Sequence, residues 1–488
     1  MTTGLVVALL LPVLAGTMLL GLGRSGSSGN RAIQLGYGSI FGVLLTVALL
    51  VLMDTVGLKL SFVPVVSVLS MLIVATGVWQ WRTAVGSRSG LPSFHLEMSG
   101  WLLVLSSLLL VLILLRLLNI ALEVYWRPLY PWDAWTTWAV KARVWFENRA
   151  LSPFVDGSVW LQQPGEAYTI AAWQYPKTVP LISTWTALGL GYWESALVNL
   201  PWLVCGMALL LAFYGQARAW GVPVWLALIF VYFLISLPLL DTHIALAGYA
   251  DLWLATCYAL AGMAFLQWAR TGDRYQASLA VIFAFACCFI KQEGLIWALT
   301  LIPALLVARL RWRWLLVGLL LIVLAVGFTV LTAGINISIP GMDDRLILSL
   351  QRIQVPGLGQ FEIGFSDNWQ PLIDNLLILD NWHLLGYGSV LVLLFGGRRI
   401  VSNRVLLSGA VLLMIDLGLL YFLFFLTAQS AWAKDYSAFN RLLLQLTPLL
   451  LFYLLIVVKA VIDRRSVPAV SGTDRPVDGQ SQQYETAR

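Results

Sequence analysis

The chain has 488 residues, of which 60% are hydrophobic and only 11% charged, with a mean hydropathy of +0.84. Soluble domains carry about 25% charged residues, so this composition excludes a cytosolic enzyme, a disulfide scaffold and a disordered chain. It points to an all-α polytopic membrane protein. The net charge of +6 is the excess that a cytoplasmic membrane face collects, and no nucleic-acid partner is indicated.

Thirteen runs approach the roughly 20 apolar residues that a spanning helix needs. They fall at about 4–22, 33–53, 60–80, 99–119, 193–213, 222–240, 249–268, 276–290, 295–309, 313–333, 383–397, 405–427 and 441–460. In lipid the backbone must satisfy its own hydrogen bonds, so these are expected to be helices. The first run lacks a basic flank, and no cleavable signal peptide is expected there. With the N-terminus outside and the C-terminus cytoplasmic, short cytoplasmic connectors and the tail take 18 of the 30 Lys and Arg residues, as the positive-inside rule asks. That assignment requires the apolar stretch 178–192 to be an interfacial helix rather than a span. The organisation expected is three N-terminal spans (1–98), a larger membrane region (99–462) and a disordered cytoplasmic tail (463–488). Outer loops are placed at 120–192, 334–382 and 428–440. Loops this long are usually functional.

The densest chemical signal opens the first large loop, in the run Tyr130-Pro131-Trp132-Asp133-Ala134-Trp135-Thr136-Thr137-Trp138 and on to Lys141. Pro131 suits a helix start, and a carboxylate in the first turn is favoured by the helix dipole. Helical spacing puts Trp135, Trp138, Ala142 and Trp145 on one stripe and Asp133, Thr137 and Lys141 on another. Such a helix is expected to lie flat at the outer surface, its indoles among the headgroups and free to stack on sugar faces. Asp241-Thr242-His243, Gly248-Tyr249-Ala250-Asp251, Lys291-Gln292-Glu293, Tyr175-Pro176-Lys177 and Asn440-Arg441 fall at the same outer level. Each alone reads as a snorkelling or paired group; their convergence with Asp133 suggests a site. Asp416 lies mid-span, where an ionised carboxylate costs about 2.5–3.5 kcal/mol on insertion scales. A hydrogen-bonded structural role is expected for it, with Arg116 a conceivable partner. Cys205, Cys257, Cys287 and Cys288 sit in apolar runs and read as core residues. His95, His243 and His383 are too scattered to indicate a metal site.

At these residues the chain resembles the GT-C superfamily of polyprenyl-phosphate-dependent glycosyltransferases, which includes aminoarabinose transferases and protein O-mannosyltransferases. The matching features are a polytopic bundle and an acid in the first outer loop within a Trp-Asp-Ala-Trp run. A Tyr-Pro before an interfacial helix, an Asp entering a later span and a Lys at an outer hairpin also match, as does Arg441 leading to Pro448 in the last span. The resemblance covers about residues 99–460. The paired-acid motif common in relatives is absent, which leaves metal use open. The resemblance implies an inverting transferase of the plasma (bacterial inner) membrane. Asp133 would be the base, and Lys291, Arg441 and Lys141 would bind the donor phosphate. Trp132, Trp135, Trp138, Tyr175, Asp251, Glu293 and His243 would contact substrate. The donor would be a polyprenyl-phosphate sugar and the acceptor a glycan, lipid or protein. A polysaccharide ligase or polymerase, and a lipid or solute transporter, are the alternatives.

Overall fold

Long uncharged runs with no water to bond their backbones fold as helices, and helices dominate the computed structural model. It describes residues 3–23, 30–84, 99–310 (save 129, 163, 164 and 166), 317–318, 324–325, 327–332, 334–338, 345–356 and 359–465. The helices are α1 (Thr3–Leu20), α2 (Asn30–Thr55), α3 (Phe62–Ala84), α4 (Gly100–Trp126), α5 (Ala139–Asn148), α6 (Gly157–Gln162) and α7 (Thr178–Leu190). Next come α8 (Leu200–Ala219), α9 (Val224–Ser236), α10 (Pro238–Ala245), α11 (Asp251–Thr271), α12 (Arg274–Cys287) and α13 (Gly294–Arg309). The last five are α14 (Trp369–Ile373), α15 (Leu385–Ser402), α16 (Arg404–Phe425), α17 (Ala431–Lys434) and α18 (Ser437–Arg465).

Among the described residues nine helices are long and apolar enough to cross a membrane, and α9 with α10, bent by 63° at their break, makes a tenth. The chain is therefore a multi-pass membrane protein. Of the other three expected spans, 276–290 and 295–309 appear as the shorter α12 and α13, and 313–333 lies mostly outside the described residues. The expected tail from 466 onward lies outside them altogether, as does His95.

Helix α11 is the centre. Every residue from Asp251 to Gln267 is buried, against α8, α12 and α18. A helix enclosed by protein can carry polar groups, and α11 does so: Tyr258 donates to Asp416 on α16 (2.6 Å) and lies 2.9 Å from the Thr300 hydroxyl on α13. Asp416 is thus a hydrogen-bonded buried group, as expected, but Arg116 is not its partner. Arg116 instead pairs with Asp241 on α10 at 3.1 Å. By contrast α4 turns most of its apolar surface outward, with Trp101 and Trp126 at its two ends, an arrangement suited to lipid and its interfaces. The four cysteines are free, three of them buried.

The fold is mostly helical, as expected, with one addition: loop 334–382 contains a four-stranded antiparallel meander, β1 (Ile335–Ser338), β2 (Arg345–Leu348), β3 (Arg352–Val355) and β4 (Gly359–Glu362). Ile335 pairs with Leu348, and Ile353 with Phe361. Isoleucines alternating with polar residues suit such strands. At four residues each they are far shorter than the 9–11 that a membrane strand needs. The sheet is tied to the end of α16 by Gly364 N–H to Leu426 O and Ser366 N–H to Phe425 O. The stretch expected as a helix in or dipping into the outer interface forms α7, which at 13 residues is shorter than a span. All residues from Thr178 to Leu188 are buried, between α1, α2 and α5, because a helix apolar on every side buries every side.

Helices α1 and α2 meet through glycines. A Cβ on Gly16 would stand 2.0 Å from Gly38 O, and one on Gly42 1.8 Å from Pro12 O. Such small-residue seams let backbones approach in lipid, where packing replaces the hydrophobic drive. Gly42→Val should therefore force the helices apart and cost about 1–3 kcal/mol or more. The check is a lowered unfolding temperature in detergent. Gly418→Ala, where the added carbon meets open space, should leave that temperature unchanged.

Candidate functional site

Five ionisable side chains from four parts of the chain converge in one row. Asp133 stands in the turn that Pro131 opens; the N–H groups of Ala134 and Trp135 both return to Pro131 O. Asp251 begins α11, where a helix N-terminus favours a carboxylate. Lys291 and Glu293 occupy the reversal between α12 and α13. That reversal is tight enough that a Cβ on Gly294 would lie 2.0 Å from Cys287 O. Arg441 is the fifth residue of α18, and carboxylates hold its guanidinium there.

Asp251 is the hub. Its Oδ1 accepts from Lys291 Nζ (3.0 Å) and Gln445 Nε2 (2.7 Å); its Oδ2 accepts from Arg441 Nε (2.9 Å) and Nη2 (2.8 Å). Arg441 Nη1 reaches Asp133 Oδ2 at 2.5 Å, and Lys291 Nζ reaches Glu293 Oε1 at 2.6 Å. The row therefore alternates in sign, Asp133, Arg441, Asp251, Lys291, Glu293, with three carboxylates against two cations. The Asp251 side chain is fully buried and that of Lys291 nearly so, whereas the ends of the row open outward, Asp133 being 37% exposed. Burial alone would push the Lys291 ammonium down, but Asp251 and Glu293 outweigh it and hold its pKa above the ordinary value.

The donor and acceptor inventory shows what the row can still do. All four donors to Asp251 are in place, so this carboxylate is saturated. Arg441 uses three of its five N–H groups and keeps two; Lys291 uses two of its three hydrogens and keeps one. Asp133 and Glu293 each engage one oxygen with these cations. The outer rim thus offers carboxylate acceptors beside unspent cationic donors.

Neutral groups fix this geometry. The Trp297 indole can only donate, and it donates to Gln445 Oε1 at 2.7 Å, which turns the Gln445 amide nitrogen toward Asp251. The Tyr249 ring lies under the Arg441 guanidinium at 4.6 Å, with its own carbonyl held by Trp202 Nε1 at 2.7 Å. Asn440, beside Arg441, accepts from Asn375 Nδ2 (2.6 Å) and Trp382 Nε1 (3.2 Å), which ties the start of α18 to loop 374–382. Trp297 and Trp202 are not foreseeable site residues from the sequence, and Gln445, Tyr249 and Asn440 lie outside the candidate set given above. Gln445 alone left a signal: it stands one turn after Arg441, amid leucines.

Other expected site residues are placed differently. Lys141 does not join the row. It is buried, and its Nζ donates to the carbonyls of Ala172 (3.3 Å), Trp173 (2.7 Å) and Tyr175 (3.0 Å). Burial, with Lys177 adding to it, pushes this amine down to about 8. At neutral pH it is still an ammonium, whose three hydrogens match three carbonyls. Trp138 is buried and stacked on Tyr175, centroids 5.1 Å apart and planes 9° apart, so its face is not free for a sugar. Ala134–Trp138 is a π-turn, and π-turns recur at functional sites. Trp138, Ala142 and Trp145 share one side as expected, but that side is buried in protein rather than laid among headgroups, while Trp135 leaves the stripe and faces outward with Trp132, edge to face at 5.0 Å. His243 is buried with its ring 5.3 Å from that of Tyr249. Among the described residues no group of His, Cys, Asp and Glu is arranged to hold a metal ion; the carboxylates of the row face cations instead.

Removing the Lys141 ammonium leaves three inward carbonyls without their donor, at about 1–3 kcal/mol for each group left unpaired. Lys141→Met should loosen the segment that carries Tyr175. Faster limited proteolysis around residues 172–175 would show it. Comparison with protein-family models, with curated proteins and with solved structures finds no match to this chain.

Proposed function

We propose that this protein is an inverting glycosyltransferase of the plasma membrane that moves a sugar from a polyprenyl-phosphate carrier to an acceptor on the outer face. The observation that carries the reading is the charge row itself. A partly exposed carboxylate, Asp133, stands beside the Arg441 guanidinium, with the Lys291 ammonium on the far side of Asp251, and both cations keep unspent N–H donors within a bundle of membrane helices. A transfer between a lipid carrier and an aqueous acceptor requires that juxtaposition. Asp133 takes the proton of the acceptor hydroxyl or amine as that atom bonds to the anomeric carbon. The bond from that carbon to the phosphate oxygen breaks, and its electron pair leaves with the phosphate. Arg441 and Lys291 stabilise the departing charge with the donors they retain, Arg441 through its planar fork. Attack opposite the leaving group inverts the anomeric centre. Glu293 and the outward faces of Trp132 and Trp135 are further substrate contacts.

The test uses purified protein in nanodiscs with radiolabelled polyprenyl-phosphate sugars and a glycan, lipid and peptide acceptor panel. A covalent product is expected; turnover of no sugar-lipid would sink the proposal. The break between α9 and α10, 63° at a proline, favours a second reading, a transporter, since broken helices often carry transport sites. Uptake by proteoliposomes without covalent product would decide for it.

A further inference from the structure

His243 sits on α10 with its two nitrogens in different situations. Nδ1 lies 2.7 Å from the carbonyl of Leu239. A carbonyl only accepts, so Nδ1 carries the hydrogen, and in the neutral ring Nε2 then presents a lone pair. That Nε2 is buried and has no hydrogen-bond partner among the described residues, in a side chain whose residue is 5% exposed. Buried polar atoms are nearly always paired, so an orphan asks for a partner from outside the chain. Its location says which kind. The ring packs against Tyr249, whose other neighbour is the Arg441 guanidinium, and it lies within electrostatic reach of Asp251, Arg441 and Lys291. Phosphate oxygens are acceptors and cannot satisfy a lone pair. A sugar hydroxyl can.

We infer that His243 Nε2 accepts a hydrogen bond from a hydroxyl of the sugar carried by the donor lipid, so that His243 recognises the sugar while Arg441 and Lys291 take the phosphate. This rests on the glycosyltransferase reading and assigns the two parts of one ligand to different residues. Leaving a ligand hydroxyl buried without its acceptor corresponds to about a 5- to 100-fold loss of affinity.

The experiment measures binding rather than turnover, on full-length protein in nanodiscs. The probes are polyprenyl-phosphate mannose, glucose and arabinose, with bare polyprenyl phosphate for comparison. Wild type should prefer one sugar-lipid over the bare lipid. His243→Phe should lose that preference by about 5- to 100-fold with affinity for bare lipid unchanged, and His243→Gln, which keeps an acceptor, should retain part of it. Deoxy analogues of the preferred sugar-lipid add a measurement that needs no Phe variant: one of them should weaken wild type and weaken His243→Gln less. If wild type prefers no sugar-lipid, the glycosyltransferase reading fails and takes this inference with it. If wild type discriminates and a folded His243→Phe discriminates equally, or if every deoxy analogue costs both proteins the same, the reading stands and His243 is not the acceptor.

Discussion

Asp133→Asn should yield a folded protein whose transfer rate falls by about 10²- to 10⁴-fold, the usual contribution of a positioned base. The fold should survive because the Asp133 carboxylate is at the open end of the row and Arg441 keeps its two bonds to the buried Asp251. The substitution also removes the negative charge that the three carboxylates hold in excess over the two cations, so no cation is left unpaired. A Glu replacement should restore little, because the longer side chain displaces the oxygen that faces Arg441. The measurement is single-turnover transfer from a polyprenyl-phosphate sugar, with size-exclusion elution and unfolding temperature as controls for folding. Wild-type rates in folded Asp133→Asn would remove Asp133 as the base.

How far the sequence foretold this site depends on the kind of residue. Ionisable groups in a chain with few charges stand out against leucine and valine, so Asp133, Asp251, Lys291, Glu293 and Arg441 were all legible, and the structure brings these five together. What the sequence could not distinguish was Lys141 from Lys291. Both are lysines expected at the same level of the membrane, but one is wrapped by the carbonyls of loop 172–175 and the other faces two carboxylates. That difference is set by how the loop folds back, which involves residues 31–34 positions apart. The neutral braces were invisible for the opposite reason: Trp297 and Trp202 look like ordinary membrane indoles until their N–H partners are known. Ten of the thirteen expected span positions followed from hydropathy alone. The sheet at 335–362 did not, because four-residue strands in a polar loop leave only a brief alternation, and the packing of α7 between α1, α2 and α5 was hidden because apolarity cannot distinguish a lipid neighbour from a protein one.

Asp251 should behave in the reverse way to Asp133, with a large effect on stability. Its carboxylate is fully buried, and it alone faces both cations. In Asp251→Ala, Arg441 and Lys291 each keep one carboxylate, at the more open end of the row, and lose the one deep in the bundle. Removing one partner of a buried ion pair typically costs about 3–5 kcal/mol, because the remaining charge is stranded away from water. Both cations lose their buried partner here, so the unfolding temperature in detergent and the folded yield should drop well below those of Asp133→Asn. Asp251→Asn should help little, since it keeps the shape and loses the charge. Removing a cation at the same time is the informative control. In Asp251→Asn with Lys291→Gln the loss of stability should fall short of the sum of the two single losses, because both changes break the same Lys291–Asp251 pair. If instead the double variant is the less stable by the sum of the two single effects, the residues act independently and Asp251 is not the hub of the row. Activity should fall in every Asp251 variant even where the fold holds, since the guanidinium that faces Asp133 is kept in place by the two bonds Asp251 accepts from it.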